Sequence, residues 1–369
     1  MNSTTSEGLN STTIHGQLPN VSTANIIGFS LAFFIVGLTG IVGNALVIYV
    51  ILADKKMRQS MTNMLIINLA IADGIVLVFG IPEIVQFMLN RGWILGEVMC
   101  RLERTLLVVG LYVSVMTLVS LCIERYIAII FPIKAHLMCT RRHTLIVIVV
   151  IWTLSIGCGS PTLLFNQVIA SDRYQDTVEF CQIILPGHGV GSYILYKYVE
   201  ATLFYFIPLI IQVICYIVIG KTLFIGVEEL HGNGRQNVDH KRLSDALKRR
   251  RAVVKMLIAS VLIYFLSYSP HQILLVYNTF RRSSFQDTWV YLVFVTILAY
   301  VNSAANPILY CIFSQNFRSH FAELLLCCFR SNYEGSNSKN NVITLNSEYT
   351  ILLKRNTQNS KVQYGISDV

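Results

Sequence analysis

Asp73 stands in the middle of a long apolar run, Thr62–Leu89, where an isolated charge costs at least about 2.5–3.5 kcal/mol in a bilayer. Ser114, Asn302, Ser303 and Asn306, together with Asn44, fall at comparable depth in other apolar runs if those runs alternate direction. Carboxylate, hydroxyl and amide oxygens converging in this way suit a small hard cation such as sodium, or a few waters. The same side chains could instead hydrogen-bond helices to one another, as small polar residues do in membranes. Nearer the ends of the runs lie Glu83 and Gln86, Glu103 and Arg104, and Lys197 and Glu200, with Tyr112, His271, Gln272 and Asn278. Ionisable groups inside apolar spans mark functional sites by default, and this mixture suits the amides and side chains of a peptide. The alternative is pairing among themselves, Glu103 or Glu200 with Arg104 or Lys197. A third constellation, Glu124-Arg125-Tyr126, puts an arginine at a membrane boundary beside its own neutralising carboxylate. Such a pair can hold one conformation and release to another, which is a two-state switch.

Catalysis has little to work with. Gly157-x-Gly159-Ser160 faintly resembles an intramembrane serine nucleophile, but no histidine lies at matching depth and Ser160 precedes Pro161. HExxH, nucleotide-loop and paired-carboxylate patterns are absent from the sequence, so neither an enzyme nor a required cofactor is expected.

The elements that position these groups are seven apolar stretches, Ala24–Leu52, Thr62–Leu89, Cys100–Phe131, Thr144–Phe165, Tyr193–Ile225, Val253–Phe280 and Thr288–Phe313. Each exceeds the roughly 20 residues that cross about 30 Å of hydrocarbon. With 54% hydrophobic and 13% charged residues, and the apolar ones continuous rather than on one face, the chain reads as an all-α membrane protein. A barrel would show short alternating strands instead. Seven helices without a detectable internal repeat argue against a transporter.

Lys and Arg concentrate in three connections: Lys55, Lys56 and Arg58; Lys134, Arg141 and Arg142; and a set including Lys241, Arg242 and Lys248-Arg-Arg-Arg251. These are expected to face the cytoplasm, which places the N-terminus outside the plasma membrane. The net charge of +9 is thereby explained by loops beside anionic lipid rather than by nucleic acid. The tail 1–23 resembles no cleaved signal and carries sequons at Asn2, Asn10 and Asn20, on the side where glycosylation occurs. Of nine cysteines, only Cys100 and Cys181 lie on the oxidising side, so they should be bridged, worth about 4 kcal/mol in the chain-entropy model.

Asn306-Pro307-Ile-Leu-Tyr310, joined to Glu124-Arg125-Tyr126, makes a strong combination, because the proline frees a carbonyl and bends its helix. With Gly43-Asn44, Leu69-Ala70-x-Ala72-Asp73, Trp93, Cys100 and Cys181, Trp152, Pro208, Tyr216 and Pro270, it makes residues 25–328 resemble the rhodopsin-like G-protein-coupled receptors. Ile123-Glu-Arg-Tyr-Ile-Ala-Ile, Pro132-Ile-Lys-Ala and Tyr300-x-Asn302-Ser303 are most similar to the peptide branch: receptors of the thyrotropin-releasing hormone, neuromedin U, neurotensin and ghrelin type. The resemblance implies a seven-helix bundle at 24–313, a peptide ligand and a heterotrimeric G protein. It makes Asp73, Ser114, Asn302, Ser303 and Asn306 a candidate allosteric sodium site. It assigns the switch to Glu124, Arg125, Tyr126, Tyr216, Asn306, Pro307 and Tyr310. Where amine receptors of the family carry an aspartate, this chain has Leu107, and where opsins carry the retinal lysine it has Tyr300, so neither ligand is expected. Tyr268 replaces the family's usual tryptophan before Pro270, which puts the usual toggle mechanism in question. Leu107, Tyr268 and Tyr300 complete the expected ligand set. Glu83, Glu103 and Glu200, with Asp172, Asp176 and Glu179, tilt the mouth negative and favour a basic peptide. His271 is read as a wall residue rather than a proton switch.

On the cytoplasmic side, Lys248–Arg251 could anchor to lipid or wall a crevice for the terminal helix of a G-protein α subunit. Residues 314–329 read as a short amphipathic surface helix, with Cys327 and Cys328 as palmitoylation candidates. Residues 330–369 are polar and expected to be disordered. By resemblance their hydroxyls would serve receptor kinases and arrestin. The terminal Ser367-Asp368-Val369 could enter a PDZ groove, or carry no signal.

Overall fold

A computed structural model describes residues 22–89, 93–171, 178–185, 190–225, 239–280, 289–315 and 317–323. Asn2, Asn10, Asn20, Cys327, Cys328, Asp172, Asp176 and the tail 330–369 lie outside the described residues. The chain divides into two units, residues 1–318 and 319–369.

The first unit is a helical bundle. Its longer helices are α1 (Thr23–Ala53), α2 (Met61–Phe79), α3 (Ile81–Leu89), α4 (Gly96–Ile130), α5 (Arg141–Phe165), α6 (Val190–Ala201), α7 (Ile207–Ile225), α8 (Asp239–Phe280) and α9 (Trp289–Phe313). Seven segments among them are long and apolar enough to cross a membrane. Their outward faces carry large apolar side chains such as Phe34, Leu46, Ile146 and Leu266, which suit lipid rather than water. Packing is cyclic: α1 touches α2 and α9, α4 touches α2, α5, α7 and α8, and α8 touches α9. α4 is therefore the central post. In the second unit the described residues, 319–323, are helical, and His320 Nδ1 there lies 3.6 Å from Glu323 Oε2.

Prolines decide where the apolar runs break. The second run is two helices, because Pro82 has no N–H to return to Val78. The fifth run contains a wider turn at Thr202–Phe206, just before Pro208, in which the Ile207 N–H reaches back five residues to Thr202. Three freed carbonyls are taken over by side chains. Ser160 Oγ donates to Gly157 O at 2.7 Å, four residues before Pro161. Tyr264 Oη donates to Phe204 O at 2.5 Å, four before Pro208. Asn44 Nδ2 donates to Ser303 O at 3.0 Å, four before Pro307. Ser160 thus acts as a helix-bend donor. The sixth run starts earlier than its apolar content suggests, since α8 begins at Asp239 and takes in the basic run 248–251.

At one end, β1 (Asn166–Ser171) and β2 (Val178–Ile183) form an antiparallel hairpin with Val168 opposite Cys181. Cys181 is disulfide-bonded to Cys100 in α4, with Cα atoms 5.6 Å apart. Trp93 is buried against the pair, and its main-chain N–H donates to Glu179 O at 2.7 Å. The hairpin is therefore fixed over the end of the bundle where Arg104 lies one helical turn below Cys100.

Candidate functional site

Beneath the hairpin, α2, α4, α6, the wide turn Thr202–Phe206, α8 and α9 enclose a cavity of 290 Å³. Its upper wall is polar: Arg104 from α4, Lys197 and Glu200 from α6, His271 and Gln272 from α8. Its floor is aromatic. Tyr112 stacks on Phe204 with centroids 3.6 Å apart, and Tyr268 leans on Tyr264 at 5.0 Å. Tyr205 shares a 2.6 Å hydrogen bond with Ser269. Leu107 and Tyr300 close the remaining sides. Tyr268 thus lies in the floor.

Of the expected ligand set, the cavity gathers Arg104, Leu107, Tyr112, Lys197, Glu200, Tyr268, His271, Gln272 and Tyr300. Glu103 is placed elsewhere: it is 1% exposed and absent from the lining, because a helix turns it 100° away from Arg104. The side chains of Glu83, Gln86 and Asn278 lie outside the described residues. The expected negative mouth is not reproduced by the described wall. Arg104 and Lys197 there outnumber one carboxylate, Glu200, whose Oε2 is 2.7 Å from Lys197 Nζ. Pairing among the ionisable groups therefore holds for Lys197 and Glu200, one turn apart on α6.

One turn below the cavity lies the polar cluster. Val76, Leu111 and Ala299 line the cavity, and three residues along each helix stand Asp73, Ser114 and Asn302. Asp73 is fully buried, and its partners are neutral: Ser114 Oγ at 3.0 Å and Asn306 Nδ2 at 2.7 Å, with the Ser303 hydroxyl also in reach. Asn302 is buried, and its Nδ2 has no hydrogen-bond partner among the described residues. Asn302 and Asn306, four apart, share a face. The Asp73 carboxylate and the hydroxyls beside it offer oxygen ligands to a small hard cation, whereas the unpartnered Asn302 Nδ2, a donor, fits a water. Among the described residues there is no cluster of three His, Cys, Asp or Glu that would hold a transition metal.

At the opposite end of α4, Arg125 grips Glu124 through Nη2 at 2.7 Å and Nε at 3.1 Å. Thr62 of α2 joins them: its hydroxyl donates to Glu124 Oε1 at 2.8 Å and accepts from Arg125 Nη2. Sequence reasoning missed Thr62, whose signal was only a hydroxyl at the first turn of an apolar run. Tyr126 and Tyr216 pack on the buried Ile219, Leu223 and Val254, joining α4, α7 and α8. Arg251 Nη2 donates to Leu223 O at 2.9 Å, so that member of the basic run ties α8 to the end of α7. The side chains of Lys248, Arg249 and Arg250 lie outside the described residues. Tyr310 is buried and stacks on Phe317 at 5.3 Å. Asn68, likewise not singled out in the sequence, links three helices, donating to Thr117 at 2.8 Å and accepting from Trp152 Nε1 at 2.9 Å.

A capped cavity over a buried aspartate, an aromatic floor, and an arginine–glutamate pair at the far end of the central helix α4 accompany seven helices of membrane-crossing length. The chain belongs to the 7 transmembrane receptor (rhodopsin family), which it matches over residues 43–310. It is 36% identical over 318 residues to neuropeptide receptor 15 of Caenorhabditis elegans, covering 83% of this chain and 92% of that protein. It is 32% identical to the human thyrotropin-releasing hormone receptor, over 88% of this chain and 84% of the relative. Neuropeptide FF receptor 2 of Rattus norvegicus is 29% identical over 84% and 74% respectively. The protein is accordingly a multi-pass membrane receptor, not an enzyme.

Proposed function

We propose that this receptor responds to a short neuropeptide or peptide hormone at the plasma membrane, with its N-terminus outside, and activates a heterotrimeric G protein. One observation carries the reading: three helices each place a cavity-wall residue one turn above a member of the Asp73 cluster. A ligand that shifts the wall must then shift the cluster. At 290 Å³ the cavity is at the small end of ligand sites and admits only the end of a peptide, the rest lying on the hairpin. The names of the peptide-receptor relatives support the same ligand class.

In this mechanism the ligand end enters between Arg104, Lys197, Glu200 and His271 and presses on the Tyr268–Tyr264 floor. Movement of α8 then opens a crevice beside Arg125, with Arg251 and its basic neighbours walling the site for the terminal helix of the α subunit. A sodium ion at Asp73, Ser114, Asn302, Ser303 and Asn306 would add a positive charge that holds the resting arrangement. Glycans at Asn2, Asn10 and Asn20, palmitate at Cys327 and Cys328 on a surface helix within 314–329, and a modified tail at 330–369 that engages receptor kinases and arrestin complete the proposal. A PDZ-domain partner at the C-terminus belongs to it as well. Short amidated peptides screened against calcium and cyclic-nucleotide reporters should yield an agonist. That agonist should stimulate nucleotide exchange on a purified G protein; exchange that stays at the basal rate, or peptide-dependent solute flux in vesicles, would sink the reading.

A further inference from the structure

α4 and α7 meet at two levels. Above, Tyr112 of α4 stacks on Phe204, in the wide turn that leads into α7, with ring centroids 3.6 Å apart. Below, Tyr126 of α4 packs with Ile219 and Leu223 of α7. Both contacts follow chain order on both helices, so the helices run parallel. Cys122 stands four residues before Tyr126, and Cys215 four before Ile219, each about one turn above the lower contact and on the same face of its helix. Counted from the upper contact, Cys122 is ten residues on from Tyr112 and Cys215 eleven on from Phe204, and the wide turn takes up the extra residue. Helices in this register bring the two sulfurs face to face. The Cys122 thiol has the Cys215 thiol in reach, and both are free.

The two thiols differ in access. Cys122 is fully buried at the core of the central helix, whereas Cys215 is half-buried. Its neighbours along α7, Ile214 and Ile217, are exposed on a segment of membrane-crossing length. A small reagent therefore meets Cys215 first, and Cys122 waits behind it. One turn further along α4 stands Arg125.

We propose that Cys122 and Cys215 are a redox pair that a hydroperoxide converts into a disulfide between α4 and α7. The Cys215 sulfur, as thiolate, attacks the outer oxygen of the peroxide. The O–O bond breaks, water or an alcohol leaves with the thiol proton, and Cys215 becomes a sulfenic acid. The Cys122 sulfur then attacks the Cys215 sulfur, the S–S bond forms, and the S–O bond breaks as hydroxide leaves and takes the Cys122 proton to become water. Two thiols give up two electrons and two protons, and the peroxide is reduced. An accessible thiol with a resolving thiol beside it is the arrangement that this sequence of steps requires. The product fastens α7 to α4 one turn from Arg125. Its formation does not depend on what the receptor binds.

The test uses the purified full-length receptor in phosphatidylcholine nanodiscs, exposed to hydrogen peroxide in one arm and to a phosphatidylcholine hydroperoxide in the other. Mass spectrometry of the unreduced digest should find peptides joined through Cys122 and Cys215, and the arm that joins them faster names the source of the oxidant. Cys122→Ser should strand Cys215 as the sulfenic acid, with dimedone labelling at least tenfold above wild type. Cys215→Ser should leave Cys122 a free thiol, since the peroxide reaches it only through its partner. Bridging should also raise the thermal midpoint of the wild type, because the cross-link restricts the unfolded chain, and should leave both serine variants unmoved. Where a serine variant does not fold, alanine takes its place. No joined peptide in either arm would overturn the proposal, as would Cys215 oxidised to the sulfinic acid without a bridge, or joining of either cysteine to Cys139 or Cys158 in equal yield.

Discussion

Asn44 donates its side-chain amide to the carbonyl of Ser303, which Pro307 has deprived of its helical donor. The same amide also reaches Gly40 O at 2.9 Å within its own helix, so one side chain joins α1 to the bend in α9. Close approach makes this possible: a Cβ on Gly43 would lie 2.8 Å from Pro307 Cβ, so the glycine lets the kinked helix lean in. Side-chain hydrogen bonds between membrane helices average about 0.6 kcal/mol, with an upper range near 1.7, and a buried carbonyl left without a donor puts this one at the upper end. Asn44→Leu should lower the thermal unfolding midpoint of the solubilised receptor by a few degrees. An unchanged midpoint would mean that water serves the Ser303 carbonyl equally well.

Tyr264 plays the matching part for Pro208, donating to Phe204 O from α8. Tyr264→Phe keeps the ring in the cavity floor and removes only the hydrogen bond from α8 to the wide turn that precedes α7. Outward movement of α8 then has one bond fewer to break. Basal nucleotide exchange should rise about three- to tenfold, equivalent to about 0.7–1.4 kcal/mol, while surface expression stays near wild type. Unaltered basal exchange in the phenylalanine variant would show that the hydroxyl does not restrain α8.

Hydropathy alone made the seven spans legible, because continuous apolar runs of this length have few other solutions. Mid-membrane polar residues were equally visible, and Asp73, Ser114 and Asn306 do converge. What sequence could not resolve was rotation about the helix axes. Glu103 and Arg104 are adjacent in the chain, yet one is buried and the other lines the cavity, since each residue turns the side chain by 100°. Nor could it say which alternative a charged group would take. Lys197 and Glu200 pair along α6, a three-residue spacing that the sequence offered as readily as a cross-helix contact. Tertiary use of freed carbonyls was likewise hidden, because Pro208 shows that Phe204 O lacks a donor but not that Tyr264 supplies one.

A fully buried Asp73 whose partners are neutral should take a sodium ion in the resting arrangement. Replacing N-methylglucamine chloride with sodium chloride at equal ionic strength should raise the thermal midpoint of the wild type and leave Asp73→Asn unmoved. Linkage then requires that sodium weaken agonist binding by the factor with which agonist weakens sodium. Equal stabilisation of wild type and Asp73→Asn would assign the effect to another site.

Within the cavity, Lys197 competes for the carboxylate that a basic ligand group would seek. For a cationic peptide agonist, Glu200→Gln should therefore weaken binding about tenfold, or ~1.4 kcal/mol, and Lys197→Met should strengthen it by removing the competitor. Opposite signs are the diagnostic. Glu103→Gln, away from the lining, should leave affinity within about threefold, less than 0.7 kcal/mol. Loss of affinity in both Glu200→Gln and Lys197→Met would indicate that the ligand engages the pair as a unit, or that the lysine meets a ligand carboxylate.

Thr62 and Arg125 make the final test, because the threonine hydroxyl touches both halves of the proposed switch. In the proposed mechanism Arg125 must leave Glu124 before it can meet a G protein, and in this structure Thr62 donates to the carboxylate while accepting from the guanidinium. Removing the hydroxyl weakens both ends of that triangle without touching either charge. Thr62→Val should raise basal nucleotide exchange several-fold, each threefold step being about 0.7 kcal/mol, with peptide affinity little altered at the far end of α4. Arg125→Ala should abolish exchange at normal surface density while peptide binding stays within a few-fold. The double variant should match Arg125→Ala alone, since a hydroxyl that acts through the arginine has nothing left to restrain, and this non-additivity separates coupling from two independent defects. If Thr62→Val raises exchange in the Arg125→Ala background as much as in wild type, the hydroxyl acts by another route, and the three-residue latch of Thr62, Glu124 and Arg125 is not the resting lock.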